Sequence, residues 1–495
     1  MNLIAADYPF IKRFSTSEHH YIYDLNTNEI VKVDQVVFSI IDDIHRLRDI
    51  DLRKKWGGTY GEAAVDRACL EVREVRAKDS LLFSFTRPTT IRPYGGIDIV
   101  ATAAEFSLQH LILNVTDVCN LRCRYCVYSG KYPQRRSHSS RKMSRRVAEK
   151  AMNFFFEKSA YVAEPHIGFF GGEPLTNFDL IRYCVEYTET RQPGRYSFSL
   201  TTNGTLLSDQ KCDYLVEHDF LLRISLDGPQ ELHDRLRVDR LGHGTWHTVM
   251  ENLERFHNRY SYYVETRVGI LTIAVSPEAM TAVQEFFQQH PWLSRVSLSA
   301  SYPNYTPIPL SPEIGPVPPH KPRAESSDLF QRCEEELLAR GVLTPFMHSH
   351  FAVELVRLHC RKRENGFEHG IHINGCCFPG HRRLFVDSAG TFFVCERLDD
   401  GYPIGSVDYG LNVKDMCTLI DDYEKLCEPC LNCWAVRFCP QCFASSFSSG
   451  HLDLAVREQD CESYRHRLEQ IFELYHRVLE KKPDAFTFLS NIKLN

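Results

Sequence analysis

The rhythm of polar and apolar positions changes near residue 108. Before it, HHYIYDLNTNEIVKV (residues 19–33) alternates about an Asn-rich turn, which predicts a hairpin. The following stretch, DQVVFSIIDDIHRL, sets Val36, Val37, Ile40, Ile41 and Ile44 on one helical face, and GEAAVDRACLEVREVRA (61–77) reads as a second helix. A hairpin backed by helices therefore occupies residues 1–95, closed by TRPTTIRPYGG, whose Pro and Gly suggest a linker.

Over residues 105–305, short apolar runs alternate with helical periods. LQHLILNVT, HIGFF, YSFSLTT, LLRISLD, VETRVGILTIAV and RVSLSA read as strands, with helices such as SRRVAEKAMNFFFEK, FDLIRYCVEYTE and WHTVMENLERFH between them. Six such units predict an α/β fold with a parallel sheet, either an open doubly wound sheet or a partial (β/α)6 barrel. In both, a ligand belongs at the carboxyl ends of the strands. The unusual residues fall there: three cysteines after the first strand, GGEP (171–174) after the second, Asn203 in NGT after the third and Asp227 in DGP after the fourth. A Pro-rich stretch with a bridging helix (306–368) leads into a cysteine-rich region (369–495).

Composition narrows the chemistry. The chain has 495 residues, 43% of them hydrophobic, enough for several ordinary cores. A net charge of -6 supplies no basic field, so nucleic acid is not an expected partner. No apolar run reaches the roughly 18 residues that span a bilayer, and MNLIAADYPFIKRF lacks the regions of a signal peptide. These features predict a cytoplasmic protein without a membrane partner. In that reducing compartment, 18 cysteines point to metal ligation more than to disulfides.

Three of the cysteines, Cys119, Cys123 and Cys126, lie in VTDVCNLRCRYCVYSG, and ten more lie from Cys376 to Cys461. Cys69, Cys184, Cys212, Cys333 and Cys360 stand singly and read as small buried apolar side chains. Zinc sites take four ligands, commonly in paired C-x2-C knuckles, and a C-x3-C-x2-C loop leaves a position open. A [4Fe-4S] cluster on three thiolates keeps one iron free for another ligand.

With the aromatic Tyr125 before Cys126, and GGEP after the second strand, the sequence resembles the radical SAM superfamily, whose hallmark is C-x3-C-x-aromatic-C. The resemblance implies a radical S-adenosylmethionine enzyme with a [4Fe-4S] cluster on Cys119, Cys123 and Cys126. Its cofactor supplies a 5′-deoxyadenosyl radical, and the protein supplies position and shielding. The resemblance further implies that Gly171, Gly172 and Glu173 receive the methionyl amino group, and that Tyr125, Asn203 and Ser225 lie beside the cofactor. By the same resemblance, Arg237 faces the methionyl carboxylate.

The second group resembles the SPASM extension of radical SAM peptide-modifying enzymes. Twelve residues separate Cys377 from Gly390, four more precede Cys395, and then come Cys430, Cys433, Cys439, Cys442 and Cys461. Cys439 and Cys442 are two residues apart where that pattern usually has three. Carried over, Cys430, Cys433, Cys439 and Cys461 hold one auxiliary [4Fe-4S] cluster and Cys377, Cys395 and Cys442 a second. The fourth ligand of the second is Cys376, Cys360, Cys427 or none.

Residues 1–95 resemble the winged-helix-like recognition elements of enzymes that modify ribosomally made peptides, which bind a leader peptide by strand addition. Together the resemblances imply a maturase that joins a precursor-peptide cysteine sulfur to carbon, as in sactipeptides and ranthipeptides, with reduced flavodoxin or ferredoxin as electron donor. The alternatives are a carbon–carbon crosslinking or epimerising peptide maturase and a sulfatase-maturing, formylglycine-generating enzyme. The basic stretch KYPQRRSHSSRKMSRR (131–146) is a solvated segment, or a surface that steers an acidic peptide or the reductant.

Overall fold

The computed structural model describes residues 4–490 except 6, 92–98, 101, 103–104, 106, 131–135, 302–326, 368–369, 372–374, 376, 399–400 and 449. Cys376, residues 92–96 of the linker expected near residue 90, the Pro-rich stretch and the start of the basic segment lie outside the described residues.

The amino-terminal hairpin forms as β2 (His20–Asp24) and β3 (Glu29–Val33), and β1 (Ile11–Ser15) adds on the other side of β2 to give an antiparallel meander. Alternation splits its side chains between two neighbours. Ile11 and Ile22 face the helices Gln35–Ile44 and Glu62–Lys78, among Val37, Ile40, Ile41 and Val65. Phe14, Tyr21 and Tyr23 face the long carboxyl-terminal helix Leu454–Lys481, where Phe14 and Tyr23 pack on Phe472. A third helix, Asp49–Tyr60, was not evident in sequence. It buries only Leu52 and contains Gly57 and Gly58, so it lacks an apolar stripe.

The expected strands appear as β4 (His110–Thr116), β5 (His166–Gly171), β6 (Ser197–Thr202), β7 (Leu221–Ser225), β8 (Val268–Ile273) and β9 (Ser297–Ser301). They pair in parallel and in strict chain order. A doubly wound sheet reverses its strand order at a switch point, and this one does not. Right-handed crossovers that always advance by one strand place the connecting helices on a single face. In the expected strand VETRVGILTIAV, residues up to Arg267 belong instead to the helix Ser261–Arg267, which buries Val264.

The sheet does not stop at β4. β10 (Arg383–Val386) pairs in parallel with β4, and β11 (Thr391–Phe393), β12 (Gly405–Ser406) and β13 (Gly410–Leu411) continue antiparallel, giving ten strands. The boundary expected at residue 369 therefore separates no two sheets. β10 covers the backbone edge of β4 that six strands alone would leave open. The fold is α/β with one mixed sheet. No helix among the described residues is long and apolar enough to cross a membrane.

Candidate functional site

The loop after β4 is fixed by backbone bonds before any ligand is considered. The N–H groups of Arg122 and Arg124 donate to the carbonyls of Val238 (2.7 Å) and Leu236 (2.8 Å), and the Arg240 guanidinium donates to the Cys119 carbonyl at 2.9 Å. Cys119, Cys123 and Cys126 are thereby held on one loop at the carboxyl end of the sheet. Burial pushes the Cys119 thiol up to about 11 and that of Cys126 to about 12, and raises Cys123 as well. Thiols so placed keep their protons until a metal cation replaces them. Three soft sulfur donors suit an iron–sulfur cluster.

GGEP closes against this loop. Gly172 N–H donates to the Thr116 carbonyl and Glu173 N–H to that of Val118, both at 2.8 Å. A Cβ on Gly171 would collide with the Thr116 carbonyl oxygen, and one on Gly172 would lie 2.5 Å from that of Val118. The glycines are required by backbone approaching backbone. A small pocket of about 10 Å³, roughly one water, opens beside them, lined by Asn114, Tyr128, His138, Phe170, Gly171 and Gly172 among others.

Glu173 is fully buried, and its carboxylate accepts from the Thr202 hydroxyl (2.7 Å), Asn203 N–H (2.7 Å) and Leu175 N–H (3.1 Å). Burial raises its pKa against the pull of these bonds. Its oxygens thus tie the ends of β5 and β6 together. Asn203 in turn donates to the Asn120 side chain within the cysteine loop at 2.9 Å. Ser225 ends β7, half-buried.

Arg237 lies at the same loop with a protein partner already in place. Its Nε donates to Asp227 Oδ2 at 2.8 Å, both side chains being buried, and its guanidinium reaches the Cys123 sulfur. The ring of Tyr125 lies 5.4 Å below the guanidinium, and its hydroxyl donates to the same Asp227 oxygen at 2.8 Å. Asp227 Oδ1 accepts Ile273 N–H at 2.9 Å. The centre of this arrangement is Asp227, whose only sequence signal was its place after the fourth strand.

The cysteine-rich region forms a second set. Cys430, Cys433, Cys439 and Cys461 line one small apolar pocket of about 20 Å³. Burial pushes Cys439 up to about 12 and Cys461 to about 11. Cys430 goes the other way, to about 6, through a hydrogen bond from Cys427 and the charge of Arg457. Arg457, 1% exposed, donates to the Tyr423 hydroxyl at 2.8 Å and to the Cys430 sulfur at 3.6 Å. No sequence pattern announced this buried cation. Among the described residues no three His, Cys, Asp or Glu side chains converge to hold a single ion. The quartet instead lines the small pocket.

Cys377 and Cys395 each lie within electrostatic reach of Cys442, and burial pushes Cys395 up to about 12. Of the alternatives for a further ligand there, Cys427 sits beside Cys430, while Cys360 is exposed and donates to the Leu489 carbonyl at 3.8 Å. The two cysteine regions are linked. The Tyr128 hydroxyl and the Arg136 guanidinium both donate to the Glu396 carbonyl, at 2.9 and 2.7 Å, and Arg136 stacks over Phe385. Within the basic stretch, Arg136 is therefore an internal tie and not part of a steering surface.

Residues 113–281 match the model of the Radical SAM superfamily. The chain is 32% identical over 171 residues to a cysteine-type anaerobic sulfatase-maturating enzyme of Clostridium novyi, covering 34% of this chain and 44% of that enzyme. It is 30% identical over 145 residues to the radical SAM cyclopropyl synthase TigE of Paramaledivibacter caminithermalis, covering 28% and 30%. The matched region thus spans about a third to just over half of the first curated relatives' own length. Among solved structures, native anSMEcpe with bound AdoMet and the Kp18Cys peptide is similar with a TM-score of 0.55 and 21% identity, over 78% of this chain and 99% of that one.

Proposed function

With residues 113–281 as a radical SAM core, taking S-adenosylmethionine and a [4Fe-4S] cluster, we propose that this chain modifies a peptide, forming a cysteine sulfur-to-carbon thioether in a ribosomally made precursor. When bound, the cluster and S-adenosylmethionine supply a 5′-deoxyadenosyl radical that removes one hydrogen from substrate carbon. Cys119, Cys123 and Cys126 hold the cluster, Gly171 and Gly172 leave room for the methionyl end, and Asn203 and Ser225 flank it. Arg237 and Tyr125 keep the loop and its charge in place through Asp227. Cys430, Cys433, Cys439 and Cys461 hold one auxiliary cluster; Cys377, Cys395 and Cys442 hold another.

The observation that carries this reading is the placement of the three-cysteine loop against Gly171 and Gly172, with a second cysteine-lined cavity elsewhere in the same chain. The amino-terminal sheet supports a peptide substrate, because its edge strand β3 pairs with no further strand among the described residues. A fifth of this chain also lies outside the region similar to anSMEcpe. Reduced flavodoxin or ferredoxin is the proposed electron source.

The relatives named for sulfatase maturation favour a second reading, oxidation of a cysteine or serine side chain to formylglycine. Mass spectrometry of a cysteine-containing precursor separates the two. Thioether formation replaces one S–H and one C–H by an S–C bond and survives thiol alkylation unchanged, whereas formylglycine reacts with a hydrazine probe.

A further inference from the structure

One face of the large sheet carries a cation that has no counter-charge among the described residues. On β7, Leu222 and Ile224 are buried in the core shared with the helices, so Arg223 between them points to the opposite face and stays exposed. In register beside it stand Thr201 on β6 and Gly269 on β8, with Ser297 beyond on β9. The glycine is what admits the side chain, since a Cβ on Gly269 would collide with Arg223 Nη1. The guanidinium therefore lies across the β8 backbone.

Among the described residues no carboxylate pairs with Arg223. Its hydrogen bond is Nη1 to the Leu222 carbonyl at 3.4 Å, near the limit for such a bond. Partial burial also disfavours its charge. Arg237, at the end of the helix Gln230–Leu236 that follows β7, shows the usual solution, an aspartate at 2.8 Å. Arg223 lacks one. It shares its face with Ser225, two residues and roughly 6.6 Å further along the strand toward the cysteine loop. Ser199, Thr201, Ser297 and Ser299 make that face rich in small hydroxyls, suited to the polar main chain of an extended peptide.

We propose that Arg223 is a carboxylate receptor on the open face of the sheet, binding an acidic side chain of the substrate peptide. A guanidinium fork matches a carboxylate bidentately, and among the described residues none supplies it, which leaves Arg223 open to a carboxylate from the substrate. The assignment rests on the peptide-modifying function proposed above, and it adds a preference for substrates with Asp or Glu near the reacting residue.

The test uses the reconstituted holoenzyme and arginine labelling by phenylglyoxal, read site by site by mass spectrometry, with the highly exposed Arg48 as internal reference. Arg223 is expected to label in the free enzyme, and N-acetyl-glutamate amide at saturating concentration to slow that labelling about tenfold. The isosteric N-acetyl-glutamine amide is expected to leave it unchanged. Protection by S-adenosylmethionine alone would assign the carboxylate to the cosubstrate and overturn the peptide assignment. Equal protection by acid and amide, or no labelling of the free enzyme, would overturn the site. Cleavage of S-adenosylmethionine is measured on the same sample, so failure of the radical reading is seen separately from failure at Arg223.

Discussion

Arg237 and Asp227 form a buried ion pair at 2.8 Å directly behind the cysteine loop, with the Tyr125 hydroxyl on the same carboxylate oxygen. Removing one member of a buried pair leaves an uncompensated charge, a loss of about 3 to 5 kcal/mol. Arg237→Ala is expected to lower stability by that amount in denaturant titrations of the cluster-free protein. An effect under about 1 kcal/mol, the range of exposed pairs, would mean the pair is hydrated.

Gly172→Ala tests the backbone seat. The added methyl carbon meets the Val118 carbonyl, which is main chain and has little room to yield. The variant is expected to fold, to lose about 1 to 3 kcal/mol of stability, and to bind S-adenosylmethionine at least tenfold more weakly in equilibrium dialysis. Unchanged binding would show that the two strand ends separate easily.

Acid should weaken the fold in a defined window. Burial holds His110 at about 3 and His233 and His476 at about 4, so the folded chain keeps them neutral while the unfolded chain takes up protons near 6.5. The unfolded state then binds more protons, and stability falls as pH drops from about 6.5 toward 4. The slope is at most about 1.4 kcal/mol per pH unit for each histidine. His233 accepts from Asp227 N–H at 3.3 Å, so His233→Gln should flatten the profile measurably. A denaturation midpoint that does not move between pH 7.5 and 5 would contradict this.

Iron content tests the cysteine-rich region. Cys461→Ala is expected to remove one cluster, roughly four iron atoms per chain, and Cys395→Ala another. Cys360→Ala should leave the iron count unchanged, because Cys360 is exposed and its thiol donates to the Leu489 carbonyl. Equal iron in the wild type and Cys461→Ala would remove the quartet from cluster binding.

Much of this was legible in the chain because it is local. The strands β4 to β9 show as apolar runs, and Cys119, Gly171, Asn203 and Asp227 stand at or just beyond their ends, where a parallel sheet gathers its loops. What escaped notice depends on distant pairings. The addition of β10 beside β4 joins residues more than 270 positions apart, and no periodicity encodes that. Arg457 and Cys430 meet across 27 positions, and the Asp227–Arg237 pair needs the helix Gln230–Leu236 between them to form first. The helix Asp49–Tyr60 stayed hidden for the opposite reason, since it buries almost nothing.

The most direct test of the central claim is anaerobic incubation of the reconstituted, reduced enzyme with S-adenosylmethionine and a cysteine-rich precursor peptide, followed by mass spectrometry of both products. Expected are 5′-deoxyadenosine and a peptide lighter by two hydrogens per thioether, both absent with Cys123→Ala. An enzyme with its full complement of iron that yields no 5′-deoxyadenosine would contradict the radical reading itself.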